Sequence, residues 1–326
     1  MTTYRAFERN DIAASTEIWN AACGASLHIT PRFFEYNTRP TPGVAQAGRV
    51  AMRGGEVVGV VLASAPQEQA GTLGWFDVIA VAPSAQRQGI GAGLLDWACG
   101  WLRERGCKTA RLGSSLRPFA PGSPAELNNA AYFIQQGFTH NGDEWDLAAD
   151  LAEQHYPAPT NATFICRPAQ TGDVPAMHEF FARAFPGRWQ WEFSEFLREE
   201  GHSSDYMLLF TKDRPDQVEG FCRMTLAESE RPLDRFYLNG LPKPWGQVGS
   251  VGVSAEMRGR GYGYAVVAAA LAHLKAQGIR GCVIDWTDLL DFYARFGFKP
   301  FRQYAMLSKQ LLNNLSPATH GSLHTA

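Results

Sequence analysis

The sequence lacks the residue patterns of a metalloprotein, a Walker-type nucleotidase and a secreted protein. Its six cysteines include no CxxC pair and no Cys/His cluster at zinc-ligand spacing, so no metal is predicted and reduced thiols are expected. No Gly-Lys-Ser/Thr follows its glycine-rich stretches. The N-terminus has no apolar signal core, and the apolar stretch at 265–274 is too short to span a bilayer. We therefore expect a cytoplasmic protein.

The chain also lacks an excess of charge of either sign. Lys and Arg number 30 and Asp and Glu number 32, which gives a formal net charge of −2. Without a positive field, neither a nucleic acid nor an anionic membrane is expected as a partner. The length of 326 residues and the 45% hydrophobic content are typical of a soluble globular protein of about two domains.

The sequence repeats itself. Residues recur at offsets of 162, 172 and 160 in turn: Arg5 and Asp11 as Arg167 and Asp173, Val81 and Gly106 as Val253 and Gly278, and QQGF at 135–138 as RFGF at 295–298. The fall from 172 to 160 predicts a 12-residue insertion in the first copy, and the Pro/Gly/Ser-rich stretch 115–126 fits it as a loop. We predict two copies of one domain, residues 1–155 and 160–326, with a linker at 156–163.

Each copy has the pattern of a mixed α and β domain. An amphipathic helix is predicted at 10–22 and again at 172–184. Two β-rich runs joined by a turn follow, and then a third β run that ends near Val81 or Val253. A glycine-rich turn, a helix that ends at Gly106 or Gly278, a further strand and a short helix complete the copy.

The two glycine-rich turns are QRQGIGAG at 86–93 and MRGRGYG at 257–263, and each lies between an apolar strand and a helix start. The first N–H groups of a helix have no intrahelical partner, and the helix dipole makes that end attractive to anions. Glycine removes the Cβ that would keep an anion away. These turns predict a phosphate or pyrophosphate site, to which Arg258 and Arg260 add charge. The alternative is a tight turn without a ligand.

This order of elements, with an aromatic-x-x-x-Gly-Phe pattern near the end of each copy, resembles the GNAT superfamily of acetyl-CoA-dependent N-acetyltransferases over nearly the whole chain. The resemblance implies an α/β (α+β) fold of two tandem domains, each a mixed, mostly antiparallel, splayed sheet flanked by helices. It also implies acetyl-CoA as co-substrate, with pantetheine on the strand end and pyrophosphate on the turn. The residues so implied are Val253, Ser254, Arg258, Gly259, Arg260, Gly261, Tyr262, Gly263 and Tyr264, and Val81, Ala82, Arg87, Gln88, Gly89, Ile90, Gly91 and Ala92.

The resemblance further implies a tyrosine as general acid, four residues before the glycine of the Gly-Phe pair. Tyr293 occupies this position in the second copy, where it would protonate the departing thiolate. The first copy has Phe133 there, with Tyr132 one residue early, and one step along a helix turns a side chain by about 100°. The second copy is therefore the predicted catalyst.

The general base is harder to assign. Asp77 would suit the role in the first copy, but its equivalent in the second is Gly249. Asp285 and Asp288 are candidates, and deprotonation of the amine by bulk water stays open.

The resemblance also implies that the acceptor lies near the first helices and the loop that follows them, which here are the aromatic segments 28–36 and 184–196. Packing between the domains is the alternative reason for their aromatic content. His28, His178 and His202 are isolated in the sequence, and we expect surface or structural roles for them.

The sequence thus predicts an N-acetyltransferase that moves an acetyl group from acetyl-CoA to a primary amine of a small molecule or to a free α-amino group by direct transfer. A non-catalytic acetyl-CoA-binding sensor or scaffold is the alternative. Tyr293 distinguishes the two, because only an enzyme needs its proton. The sequence leaves open the acceptor, the acyl-chain preference and the oligomeric state.

Overall fold

The computed structural model describes residues 1–67, 72–154, 156, 163–226, 228–229 and 240–311. Residues 157–162 of the predicted linker lie outside these ranges. We call residues 1–156 the first half and residues 163–311 the second half.

The first half contains the predicted elements in the predicted order, together with four that the sequence did not predict: the first strand, the second helix, a two-residue strand in the insertion and the last strand. It contains β1 (Thr3–Ala6), α1 (Ile12–Cys23), α2 (Pro31–Asn37), β2 (Val44–Arg53), β3 (Glu56–Pro66), β4 (Leu73–Val81), α3 (Ile90–Glu104), β5 (Thr109–Leu112), β6 (Ser123–Pro124), α4 (Ala130–Gln135) and β7 (Thr139–Asp150). The segment 28–36 was predicted only as aromatic, and its residues from Pro31 onward are helical.

The second half repeats that order. It contains β8 (Phe164–Pro168), α5 (Val174–Ala184), α6 (Arg188–Arg198), β9 (Tyr206–Thr211), β10 (Arg214–Thr225), β11 (Trp245–Val253), α7 (Tyr262–Ala276), β12 (Gly281–Thr287), α8 (Leu290–Ala294) and β13 (Lys299–Gln310). The repeat extends to side chains, because Arg5 forms an ion pair with Asp11 at 2.7 Å and Arg167 forms one with Asp173 at 2.6 Å.

All thirteen strands of the described residues belong to one sheet. Its order is β1-β2-β3-β4-β5-β13-β7-β12-β11-β10-β9-β8, with β6 paired to β13 outside this path. Only β4–β5 and β11–β12 are parallel among these pairs, which confirms the mixed, mostly antiparallel prediction.

The two halves exchange their last strands. Strand β13 of the second half pairs with β5 and β7 of the first, and β7 in turn pairs with β12 of the second half. Each half therefore completes its sheet with a strand from the other. The sequence predicted neither of these last strands, so their exchange was not predicted either.

Helices cover both faces of the sheet. On β3, Val61 and Ala63 pack into a cluster with α3, whereas the alternate residues Val60 and Leu62 pack with α1 and α2. On β9 the same alternation places Met207 against α7 and Leu208 against α5 and α6. The buried aromatic side chains of α6 include Phe193 and Phe196, so packing accounts for part of the aromatic segment 184–196.

The predicted insertion at 115–126 is mainly a buried loop, with β6 and a short 3-10 turn at its end. Phe119 packs edge-on against Phe33 and Phe34 of α2. Arg117 forms an ion pair with Glu199 of α6, and its guanidinium lies 5.1 Å from the ring centre of Tyr36. The insertion therefore joins the first half to helix α6 of the second.

Candidate active site

The sheet opens at the same place in both halves. Pairing between β4 and β5 ends at Phe76 and Leu112, although β4 continues to Val81. Pairing between β11 and β12 ends at Val248 and Ile284, although β11 continues to Val253. Residues 77–81 and 249–253 therefore present a strand edge with no strand partner on that side among the described residues. Such an edge has backbone groups available to an extended ligand.

The two glycine-rich turns have the same backbone conformation. Gly89 has φ 81° and Gly261 has φ 82° immediately before the first residues of α3 and α7. Two positions earlier, Arg87 has φ 60° and Gly259 has φ 74°. Positive φ is left-handed backbone that glycine tolerates best, which explains the glycine spacing. Both turns present helix N-terminal N–H groups.

The side chains of the two turns differ. In the first half Gln86 donates to the Val81 carbonyl at 3.0 Å, and Gln88 donates to the Ser84 carbonyl at 3.2 Å. Their equivalents in the second half are Arg258 and Arg260, which are exposed and form no ion pair or side-chain hydrogen bond with a described residue. The second turn thus has two uncommitted cations where the first has glutamines bonded back to the chain.

A second difference concerns the space above the turns. A methyl group at Gly91 would lie 3.2 Å from the Tyr132 hydroxyl oxygen, whereas one at Gly263 would meet nothing within 4 Å. Tyr132 therefore lies over the first turn, and the second is open.

The other predicted cofactor residues have side chains engaged in packing. Ile90 is buried, Tyr262 packs edge-on against Phe164, and Tyr264 stacks on Phe296 at 4.4 Å. The Ser254 hydroxyl donates to Glu219 at 2.5 Å. Ala82 and Ala92 are half-buried.

Tyr293 lies on α8, in the core cluster that also contains Cys222 and Ile284, with Val251 of the open β11 edge packed against it. It is 6% exposed, and its hydroxyl forms no hydrogen bond with the described residues. Burial raises its pKa, and the charges of Cys222 and Asp285 act in the same direction. The hydroxyl therefore keeps its proton at neutral pH and has a free donor. Phe133, its equivalent, packs in the first-half core.

Asp77 is enclosed in the first half. It is 5% exposed and accepts hydrogen bonds from Gln46 and Ser64, both at 2.8 Å. Burial raises its pKa to about 6, against the lowering effect of Gln46, Ser64 and Ser115. These three residues line a cavity of about 670 Å³.

In the second half a carboxylate reaches the equivalent place from the neighbouring strand. A methyl group at Gly249 would lie 2.9 Å from Asp285 Oδ1. The position equivalent to Asp285 in the first half is Gly113, because β4–β5 and β11–β12 share one register. The carboxylate and the glycine therefore exchange places between the halves. The first half has Asp77 on β4 and Gly113 just after β5, whereas the second half has Gly249 on β11 and Asp285 on β12. Asp288, the other candidate from sequence, is exposed.

A pocket of about 430 Å³ lies between the halves and contains Asp285 in its wall. We call it the inter-half pocket. One side is formed by residues of α2, β5 and the insertion: Tyr36, Arg111, Leu116, Arg117 and Pro118. The other side is formed by residues of α6 and its C-terminal end, β10, β11 and β12: Arg188, Trp189, Trp191, Glu192, Glu195, Phe196, Glu199, Arg223, Ser250, Asp285 and Trp286. Sequence reasoning missed Arg223 because it interrupts a run that otherwise reads as a buried strand.

Two matches to the model of the acetyltransferase (GNAT) family cover residues 13–116 and 174–298, one in each half. The chain belongs to the GNAT acetyltransferase family. The turns and open strand edges described above lie in or next to the matched GNAT segments. A search of curated protein sequences gave no match.

Solved GNAT structures share the two-half architecture. The chain is 26% identical, with a TM-score of 0.85 over 94% of its length, to a glucosamine N-acetyltransferase region of a fungal multi-domain GH3 β-N-acetylglucosaminidase. It spans 38% of that protein. A tandem GNAT protein from the clavulanic acid biosynthesis pathway is 16% identical, with a TM-score of 0.68, 96% of this chain covered and 99% of the other. A GNAT protein from Sphaerobacter thermophilus is 19% identical, with a TM-score of 0.70 and 95% and 96% covered.

The second GNAT turn fits the acetyl-CoA that this family generally uses. Its glycines at 259, 261 and 263 face open space. Arg258 and Arg260, which form no ion pair with a described residue, lie just before the N-terminus of α7. The described ranges contain no group of three or more metal-ligating side chains. None of the helices in those ranges has the length and apolar character of a membrane span.

Proposed function

We propose that the protein is an acetyl-CoA-dependent N-acetyltransferase whose second half is catalytic. The observation that supports this assignment most directly is the grouping of a protonated, unbonded Tyr293, a carboxylate at Asp285 and an open turn at Gly259–Gly263 within one half. The first half has a matching backbone but lacks this set, because Phe133 replaces the tyrosine and Tyr132 lies over its turn.

The backbone of Val253 and Ser254 and the turn 258–264 would hold the co-substrate, which supplies the activated acetyl group. Arg258 and Arg260 would pair with its phosphates. The first turn, with Val81 and Ala82, stays a predicted second cradle, and we expect it to bind more weakly because Tyr132 lies over it.

Asp285 would act as the general base, directly or through a water molecule, for the acceptor amine. A free alkylamine has a pKa of about 10.4 and is almost entirely protonated at neutral pH. Neighbouring oxygens make the amine of an amino sugar less basic, but any amine must lose a proton in the course of acetyl transfer, so a base is valuable. Tyr293 would donate its proton to the leaving sulfur. Asp285 and Tyr293 both belong to the second half. With Asp77 as the base, by contrast, the acid and the base would come from different halves.

The acceptor would enter the inter-half pocket, where Asp285 meets the aromatic walls of Trp189, Trp191 and Trp286. Flat aromatic surfaces suit a ring-shaped amine. The structural relative that acts on glucosamine supports an amino sugar as the acceptor class. We therefore propose glucosamine as the first acceptor to test.

The test compares Tyr293→Phe with Tyr132→Phe in steady-state acetyl transfer to glucosamine. Tyr293→Phe should lower kcat by ~10²–10³, since a positioned acid or base contributes about 10²–10⁴ in rate. Calorimetric affinity for acetyl-CoA should not change, and Tyr132→Phe should leave kcat intact. An unchanged kcat in Tyr293→Phe would refute the acid assignment. Binding of acetyl-CoA without turnover of any amine would favour the sensor alternative.

A further inference from the structure

Arg223 lies on β10 in the wall of the inter-half pocket and is 8% exposed. Its Nε is buried without a hydrogen-bond partner, and its side chain donates no hydrogen bond and forms no ion pair within the described residues. A buried N–H group in this condition is costly, because the Nε donor does not regain the bond it made to water.

The scaffold itself does not need an arginine here. Gly59 and Gly220 pair with Val81 and Val253, and Ser64 and Thr225 pair with Trp75 and Gln247. These matching pairs on both sides make Leu62 the first-half equivalent of Arg223, although a bulge in each ladder gives the two residues different cross-strand partners. Leu62 is buried among apolar neighbours. An apolar residue thus satisfies the fold at this position, and the arginine calls for another explanation.

The surroundings hold the guanidinium in place without using its N–H groups. It lies 4.7 Å from the ring centre of Phe196 and 5.8 Å from that of Tyr206, so cation–π attraction stabilises its charge. The charge also opposes the burial that raises the pKa of Asp205. These contacts fix the group but leave its donors available to a ligand.

Arg223 is also close to the proposed chemistry. It pairs directly with Gly249 across the antiparallel β10–β11 ladder, so both residues point to one face of the sheet. The Asp285 carboxylate lies next to Gly249 on that face. Because Gly249 has no side chain, its position leaves space between Arg223 and Asp285, and the Gln247 amide nitrogen borders that space at 3.5 Å from where a Cβ at 249 would lie.

The charges of the pocket favour an uncharged group as the partner of Arg223. Four arginines and four carboxylates line it, so their formal charges cancel and the pocket has no excess charge for an anion. Arg117 is paired with Glu199 and Arg188 with Glu192. What Arg223 adds is a planar set of hydrogen-bond donors, which suits neighbouring hydroxyl oxygens on a ring.

We propose that Arg223 is a specificity-determining residue that donates hydrogen bonds to hydroxyl oxygens of an amino-sugar acceptor. This inference rests on the proposed function. It explains a buried arginine at a position where the first half has leucine.

The experiment compares two ring amines, glucosamine with its hydroxyl groups and cyclohexylamine without them. Arg223→Met and Arg223→Lys should each lower kcat/KM for glucosamine by ~10- to 100-fold, mainly through KM, because hydrogen bonds from a charged donor are lost or misplaced. For cyclohexylamine the change should be less than about threefold. Calorimetric binding of glucosamine to the enzyme–CoA complex should weaken in parallel, while CoA binding stays unchanged.

Arg105→Met is the matched control, because it also removes a guanidinium from an aromatic ring, that of Trp101 at 3.7 Å, outside the pocket. Equal losses for both amines, or no loss for glucosamine, would overturn the proposal. A third outcome would also overturn the proposal: a wild-type kcat/KM that is tenfold higher for glucosamine 6-phosphate than for glucosamine, with the difference abolished in Arg223→Met. In that case the partner of Arg223 would be an anion. Arg223→Lys keeps the charge and provides the same comparison if Arg223→Met does not fold. Wild-type protein that acetylates neither amine would instead refute the proposed function.

Discussion

The buried carboxyl of Asp77 predicts an unusual pH dependence of stability. Burial raises its pKa from the ordinary value of 3.8 to about 6. A raised pKa means that the folded state holds the proton more tightly than the unfolded state does. The stability contributed by this group is therefore fully present below pH 3.8 and is lost as the pH rises through about 6.

The size of the loss follows from the two pKa values. The difference between 3.8 and about 6 corresponds to ~3 kcal/mol of lost stability at pH 7.5. Asp77→Asn is neutral at every pH and escapes this loss. Its amide nitrogen cannot accept a bond from Gln46 or Ser64, which costs ~1 kcal/mol at any pH. We expect the variant to be more stable than wild type by ~2 kcal/mol at pH 7.5 and no more stable at pH 4.

Urea denaturation at pH 4, 5, 6 and 7.5 measures the difference. Asp173→Asn is a control of opposite sign, because the Arg167 guanidinium lowers the pKa of that carboxyl. The stability from Asp173 is present above its ordinary pKa of 3.8 and is lost only below it, so its substitution should destabilise the protein by nearly the same amount from pH 4 to pH 7.5. A difference between Asp77→Asn and wild type that does not vary with pH would refute the reasoning.

Two further predictions concern the glycines of the second half. Calorimetry should find one high-affinity site for acetyl-CoA. Gly261→Glu should abolish this site, because residue 261 has a φ of 82° that glutamate adopts poorly and because the new carboxylate repels phosphate, whereas Gly89→Glu should leave the site intact. Two sites of equal affinity would show that the first turn is a second cradle. Gly249→Ala should lower kcat by ~10- to 100-fold, because the added methyl group would displace the Asp285 carboxylate. The control is Gly100→Ala on α3, where a methyl group meets open space, and this variant should keep the kcat of the wild type. Full activity in Gly249→Ala would remove Asp285 from the mechanism.

Local features of the sequence were sufficient to predict much of the fold. The recurrence of Val81 as Val253 and of Gly89 as Gly261 identified both strand ends and both turns, because left-handed backbone before a helix needs glycine or a tolerant residue. That these strand ends are open was implied by the family resemblance. The family resemblance identified Tyr293 by its distance from the Gly-Phe pair.

Features that depend on packing between distant segments were not predictable. The choice between Asp285 and Asp288 needed the structure, because only the sheet register places Asp285 beside Gly249. Arg223 stands in a run of buried residues and has no sequence motif. Its lack of a partner is a property of the folded pocket alone.

The exchange of last strands has a consequence for synthesis of the chain. The sheet of the first half needs β13, which consists of residues 299–310, to fill the gap between β5 and β7. During translation, that gap therefore stays open until almost all of the described chain has left the ribosome. The first half emerges early but is finished last, so neither half is expected to mature as a separate unit.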